Sequence, residues 1–365
     1  MQNWKRVLAF LLTLCLLSGL CVSLAEEAED ELEIGDDVLI EEDIEVVDLT
    51  ISDEMEEKIE DMDTWEIDDS VNPDDLEINP DLPDHIVNIL LIGIDTRSRD
   101  MDADSGLQHG DVQIILSINK NTGSVKLTSI LRDLYVEIPG YRNKSRINNA
   151  YARGGGQLAM RTINHNFNLN IQEYVTINFF GLASIIDSIG GIDVDLTKQE
   201  AGAINTYLRK HPPAYDNTDG KSREPLQRVA GVQHLDGVQA VMYARLREID
   251  NDFYRTARQR HLLELLLKKI MQDMSMNRML ELIQTTLPYV TTNVNASRVM
   301  ELGLAVLSGD IISRAQNGEE VIQQHRVPMD DTYGYSTVNG ASVIAMGSKN
   351  RKTNIQAIHD FIYSD

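Results

Sequence analysis

From His85 onward the chain alternates short apolar runs with segments of helical spacing. HIVNILLIGID, residues 85–95, is apolar at almost every position over the length of a strand, as expected of a strand buried on both faces. DVQIILSINK and SVKLTSIL flank an Asn121-Thr122-Gly123 turn and predict an antiparallel hairpin. YVEIPG reads as a short strand, and a loop through Arg146 leads into NNAYARGGG. Residues 157–168 carry Leu158, Met160, Ile163 and Phe167 at helical spacing. EYVTIN then reads as a strand, FFGLASIIDSIG as a helix stopped by Gly190-Gly191, and IDVDL as a strand. Residues 197–230, with Pro212-Pro213 and a DNTDG turn, predict an excursion over the surface. HLDGVQAVMYARLR and NDFYRTARQRHLLELLLKKIMQDM predict two successive helices. Helices at 277–287 and 296–308, a strand at 321–327 and a helix at 352–363 complete the pattern. Strands alternating with helices, without a repeat or a second linker, define one α/β domain of about 280 residues, large enough to carry peripheral helical insertions.

The segment before this domain is different in kind. Between Glu26 and Asp84 lie 28 acidic residues and one lysine, Lys58, whereas residues 85–365 hold 30 acids and 30 bases. The formal net charge of -25 therefore belongs to a tail. Residues 26–84, acidic and without a sustained apolar period, read as a disordered, self-repelling linker. Residues 1–25 combine Lys5 and Arg6 with an apolar run and small residues at Ser23 and Ala25, the pattern of an export signal peptide or a membrane anchor. Basic residues on its N-terminal side place the remainder outside the cytoplasm. Both cysteines, Cys15 and Cys21, fall in this segment, so the exported part has neither a disulfide nor a thiolate site.

Candidate chemistry concentrates at residues 243–260, YARLREIDNDFYRTARQR, with Arg245, Arg247, Arg255, Arg258 and Arg260. Guanidinium forks match phosphate oxygens two at a time, so their convergence at a helix start points to a phosphorylated ligand. Arg255, Arg258 and Gln259 stand at i, i+3 and i+4 on one helix face, and Leu262, Leu263, Leu266 and Ile270 continue the helix as a buried stripe. The stretch also reads as a solvated helix start whose arginines pair with Glu248, Asp250 and Asp252. Elsewhere Asp95 ends the first strand, Asp111 begins the second and Arg132-Asp133 closes the third. Ligands of open α/β sheets gather at such strand ends. Two carboxylates there suit Mg²⁺, although each also reads as a turn cap or an arginine's partner. Arg146 is either a further phosphate contact or a surface base. Gly154, Gly155 and Gly156 lack the ending of a phosphate loop and read as a turn before a helix. Neither G-x-S-x-G nor H-E-x-x-H occurs, and the eight histidines are dispersed. Arginines, carboxylates and a metal are the equipment of phosphoryl transfer by charge stabilisation.

Six ordered blocks, NILLIGIDTR, GDVQIILSINKNTGSVKLTSILRDLYVEIPG, RINNAYARGG, GLASIIDSIGGIDVDL, HLDGVQAVMYARLR and FYRTARQR, resemble the LytR-CpsA-Psr family over about residues 86–273. The resemblance implies an α-β-α sandwich with a central mixed sheet, spanning 85–365, and an apolar tunnel for a lipid tail. It implies a phosphotransferase that moves an anionic glycopolymer, teichoic acid- or capsule-like, from a polyprenyl-pyrophosphate carrier to peptidoglycan, with pyrophosphatase activity beside it. It places Mg²⁺ or Mn²⁺ on Asp95 and Asp111, and Asp111 near the acceptor hydroxyl. Arg132, Arg247 and Arg255 take catalytic roles; Arg146, Arg245, Arg258 and Gln259 bind pyrophosphate. The implied setting is extracytoplasmic, membrane-anchored or secreted to the cell wall, with membrane contact through the N-terminus or the lipid substrate. Two departures stand out. His109-Gly110-Asp111 replaces an Arg-Ser-Asp or Arg-Ala-Asp, with Arg97 and Arg99 as stand-ins, and Tyr254 precedes Arg255 where a glycine is usual. A non-catalytic exported module binding polyprenyl phosphates or wall polymer is the alternative. Export and the absence of a helix-turn-helix signal count against a regulator bound to nucleic acid.

Overall fold

The structure is a computed structural model that describes residues 68–94, 108–210, 224–246, 249, 252–272, 290–295 and 322–364, with a few positions between 297 and 305. In chain order the elements are β1 (Ile86–Ile94), β2 (Gly110–Asn119), β3 (Val125–Ile130), β4 (Tyr135–Val136), β5 (Ser145–Arg146), α1 (Asn149–Phe167), β6 (Glu173–Asn178) and α2 (Phe179–Ser188). They continue with β7 (Ile192–Leu196), α3 (Lys198–Lys210), β8 (Gly231–Leu235), α4 (Gly237–Arg245), α5 (Asp252–Gln272), β9 (Val290–Thr292), β10 (Ile322–Val327), β11 (Gly334–Val338), β12 (Ala341–Ala345) and α6 (Ser348–Tyr363).

Six strands form the central sheet in the order β10-β3-β2-β1-β6-β9. It is mixed: β1 runs antiparallel to β2 and parallel to β6, while β3 runs antiparallel to β2 and parallel to β10. The apolar runs are continuous because both faces are covered. Ile89 and Leu91 pack into the core shared with α2, α3, α4 and α5, whereas Leu90, Ile92 and Ile94 enter the core shared with α1 and α6. The arrangement is an α-β-α sandwich, as the resemblance implies.

Several elements differ from the sequence expectations. Among the described residues β7 pairs only with β8, in a separate two-stranded sheet. The expected surface excursion contains α3, whose Ala201 and Ile204 are fully buried. The three glycines lie inside α1, which starts eight residues early and kinks at Gly154 and Gly155, the latter at φ +59°. The expected helix at 277–287 and most of that at 296–308 lie outside the described residues.

The largest correction concerns the linker. Residues 68–84 pack onto the domain, while 1–67 lie outside the described residues. Leu76 is completely buried beside Ile163 and Phe167 of α1, and the Asn164 Nδ2 donates to its carbonyl at 2.9 Å. The Asn72 amide donates to Gln157 Oε1 at 2.9 Å, and the Asn79 amide donates to Leu169 O at 2.9 Å. A single leucine among acids has no period to reveal it, yet it shares the buried cluster of α1.

Helices α2 and α4 meet at a close backbone approach. An ideal Cβ placed on Gly237, the first residue of α4, falls 1.9 Å from the Ala183 carbonyl oxygen. The Asp236 side chain caps the helix by accepting from the Gln239 amide at 2.8 Å, and the Gly237 amide donates to Asp187 Oδ1 at 2.6 Å.

Because Leu76 is buried in the same core as α1, Leu76→Ala is expected to destabilise the domain by about 2–5 kcal/mol. Urea denaturation of the two proteins measures it; an unchanged midpoint would show that the arm contributes nothing to the fold.

Candidate functional site

Near its carboxyl end β1 meets an irregularity in β2. Gly93 faces Val112 and Ile94 faces Gly110, leaving Asp111 as the extra residue of a bulge. A bulge bends its strand and re-aims a side chain. The Asp111 carboxylate accepts from Arg132 Nη1 at 3.0 Å on Oδ2 and from Asn148 Nδ2 at 3.3 Å on Oδ1. Gly110 has a packing reason here, since a Cβ would lie 3.2 Å from Ile92 Cγ2 and 3.3 Å from Tyr151 Cβ.

Arg132 lies two residues beyond β3, and its Nε is 3.6 Å from Asp133 Oδ2. Arg146, on β5, donates from Nη1 to Asp133 Oδ1 at 3.3 Å. Two arginines and two carboxylates thus alternate across the strand ends, each guanidinium held by a carboxylate. Three of the predicted residues, Asp111, Arg132 and Arg146, belong to this one group. Asp95 and Arg247 lie outside the described residues, as do Arg97 and Arg99.

Additional positive charge comes from the helices. Arg255, in the first turn of α5, is only 3% exposed. Arg245, the last residue of α4, lays its guanidinium 4.2 Å from the centroid of the Phe179 ring, a cation–π contact that fixes its orientation. Gln259 donates from Nε2 to the Ala244 carbonyl at 3.4 Å and joins the two helices. Arg258 is separated from this group. Its Nη2 donates to the Leu246 carbonyl at 2.8 Å and its Nη1 lies 3.6 Å from Glu200 Oε1, so it ties α5 to α3 and to the end of α4 instead of joining Arg255 and Gln259. Tyr254 is 60% exposed, so the residue that departs from the family pattern faces solvent while Arg255 turns inward.

Between α5 and the sheet lies an apolar cavity of about 110 Å³. Leu91, Val112, Val175, Phe179, Leu262 and Leu266 are among its walls, and among the described residues Asn178 and Gln259 are the only amide side chains lining it. The expected buried stripe of α5 therefore faces an opening between helix and sheet in place of a filled core. Chain connectivity ties this cavity to the charged group. Val112 follows Asp111, Ala244 precedes Arg245, Phe179 underlies Arg245, and Gln259 is one helical turn beyond Arg255. Phe179 was legible only as a helix residue, because its partner is 66 positions away in sequence.

Another basic group lies on the β10 side of α5. Arg260 donates from Nε to Gln324 Oε1 at 3.1 Å, and burial, with Arg326 nearby, pushes it down to about 10. Burial, then the charges of Arg260 and Arg326, hold the His325 imidazole below its ordinary range. Its ring stacks on Phe361 at 5.1 Å. Among the described residues no group of three or more His, Cys, Asp or Glu side chains is placed to hold a metal ion.

A sandwich whose charged strand ends open onto an apolar cavity defines a protein suited to a ligand with an anionic head and an apolar tail. The chain belongs to the LytR_cpsA_psr family, whose pattern matches residues 48–358. It is 31% identical over 221 residues to the polyisoprenyl-teichoic acid--peptidoglycan teichoic acid transferase TagU of Enterococcus faecalis, a match covering 60% of this chain and 64% of that protein. The match thus spans less than two thirds of TagU. It is 27% identical over 283 residues to regulatory protein MsrR of Staphylococcus aureus, covering 76% of this chain and 75% of MsrR. The fold is shared with LytR-CPS2A-psr family protein YwtF (TagT) with bound octaprenyl pyrophosphate lipid, at a TM-score of 0.55 and 17% identity over 79% of this chain and 95% of that one.

Since folding lowers the affinity of His325 for a proton, the unfolded chain binds more protons between the lowered pKa and about 6.5. The stability contributed by the neutral ring is complete above that range and is lost as pH falls through the lowered pKa. Thermal melts between pH 7.5 and 5 are expected to fall less steeply for His325→Phe than for the parent chain; parallel curves would contradict this.

Proposed function

We propose that this protein transfers an anionic glycopolymer from a polyprenyl-pyrophosphate carrier to peptidoglycan, forming a phosphodiester. The observation that carries the reading is an apolar cavity whose wall residue Phe179 lies under the Arg245 guanidinium and whose wall residue Val112 follows Asp111 in β2. The names of TagU and of the octaprenyl pyrophosphate complex support the same chemistry. The polyprenyl tail occupies the cavity between α2, α5 and the sheet, and the pyrophosphate lies at its mouth. The acceptor hydroxyl oxygen forms a bond to the polymer-bearing phosphorus as the bridging P–O bond breaks, and polyprenyl monophosphate leaves. Asp111 receives the hydroxyl proton on its carboxylate, and Arg132 and Arg255 stabilise the charge that accumulates on the phosphate oxygens. Water in place of the acceptor gives the pyrophosphatase side reaction.

The donors fit a hard divalent cation, Mg²⁺ or Mn²⁺. Asp111 supplies carboxylate oxygens, and Asn148 Oδ1, buried without a hydrogen-bond partner, is an oxygen of the kind such ions accept. Asp95 is the second carboxylate of the proposed set. The ion supplies charge neutralisation at the phosphate oxygens. The N-terminal segment, as signal or anchor, places the domain outside the cytoplasm at the membrane face, where the carrier lipid is available.

Two measurements test the reading. In a transfer assay with a polyprenyl-pyrophosphate-linked polymer and peptidoglycan, Arg132→Ala and Arg255→Ala are each expected to lower the rate about 100-fold, and chelation of divalent ions to lower it while lipid binding persists. Unchanged rates would remove those groups from the reaction. Leu263→Trp, which fills the cavity from α5, is expected to weaken binding of long polyprenyl pyrophosphates far more than that of inorganic pyrophosphate; an equal loss of both would place the lipid elsewhere.

A further inference from the structure

Helix α5 serves the cavity with one face only. At about 100° per residue, Arg255, Gln259, Leu262 and Leu266 share that face, and Phe253, Arg260 and Glu264 fall on the opposite one. The second face meets β10 at the sheet edge, where Gln324 accepts from Arg260 and donates from Nε2 to Glu264 Oε2 at 2.8 Å. At the N-terminal end of this face stands a ladder of aromatic rings. Phe253 stacks on Tyr333 with centroids 5.0 Å apart, Tyr333 meets Tyr335 edge-on at 5.8 Å, and the Arg326 guanidinium lies 4.4 Å from the Phe253 centroid. Tyr335, the outermost ring, is 66% exposed. The hairpin of β11 and β12 that carries it is fastened to the charged strand ends, since the Ile344 amide donates to the Asp133 carbonyl at 2.9 Å. The ladder therefore rises between Phe253, two residues before Arg255, and the segment that holds Arg132.

We propose that Phe253, Tyr333 and Tyr335, with Arg326 at their side, form the acceptor subsite and hold a pyranose ring of the glycan strand beside the phosphate mouth. The proposal rests on the transferase reading. A pyranose presents an apolar C–H face to an aromatic ring and hydroxyls at its rim, and the Arg326–Asp330 ion pair offers that rim a donor and an acceptor. Two observations favour the acceptor over the sugars of the transferred polymer. In an in-line displacement the entering oxygen arrives opposite the leaving group. The lipid cavity lies on one face of α5 and the ladder on the other, with the start of the helix between. Asp331, exposed at the foot of the ladder beside the Arg326–Asp330 pair, repels a polyanionic polymer.

The test uses the full chain and calorimetric binding of soluble glycan-strand oligosaccharides released from peptidoglycan. Tyr335→Ala is expected to weaken oligosaccharide binding about tenfold, within the range of aromatic stacking contributions, and Tyr335→Trp to preserve it. Binding of polyprenyl pyrophosphate and the melting temperature stay at parental values in both variants. The proposal is overturned if the parent binds no oligosaccharide, if Tyr335→Ala binds as tightly as the parent, or if it loses affinity for free teichoic polymer instead. Transfer with an unchanged acceptor KM in Tyr335→Ala overturns the subsite alone. Oligosaccharide binding through Tyr335 without any transfer overturns the transferase reading and leaves the subsite standing.

Discussion

The pairing of Asp111 with Arg132 is the interaction on which the rest of the site depends. It joins β2 to the end of β3 where the ladder between β1 and β2 has slipped by one residue. Both side chains are less than a fifth exposed, so neither is well solvated if its partner is lost. Removing one member of a fully buried pair costs about 3–5 kcal/mol, and a partly wetted pair costs less. The consequence is more positional than energetic: Arg132 is aimed by Asp111 and Asp133, and Arg146 by Asp133, without any ligand. Preorganised donors of this kind need no reorientation when charge develops on a ligand.

Helix α5 sets the second constraint, because both of its long faces are used. One closes an apolar cavity against the sheet and the other supports a polar and aromatic edge on β10. Arg258, on neither face, ties the helix to α3 and to the end of α4. That explains why three basic residues in six positions, Arg255, Arg258 and Arg260, have three different environments. Helical spacing alone had grouped Arg255 and Arg258, since neighbours at i and i+3 share a surface until a specific partner draws one of them away.

The central strands were legible because burial on both faces leaves an apolar run that no other element imitates at that length. The site was legible in part for a related reason: polar residues that end such runs must lie at a strand end. Asp111 and Arg132 were found in this way, and they do touch. What remained hidden depended on partners distant in sequence. Leu76 has no periodic neighbours, Phe179 meets Arg245 across two helices, and β5 and β9 are too short to carry a pattern. The β11–β12 hairpin is a different case, since Asn339-Gly340 between YSTV and ASVIA is a recognisable turn signal. Both residues adopt the positive φ that such a turn requires, at +51° and +81°.

Where α2 and α4 touch, the Ala183 carbonyl occupies the space that any side chain on Gly237 would need. Helix α4 ends at Ala244 and Arg245, and α2 begins at Phe179, so both helices line the same cavity and meet beside it where Arg245 lies on Phe179. The seating of Arg245 on Phe179 beside the cavity is thus gauged by a missing methyl group about two helical turns away on α4. A single added carbon would act there as a wedge, prising apart the guanidinium and the ring it rests on without altering either of them.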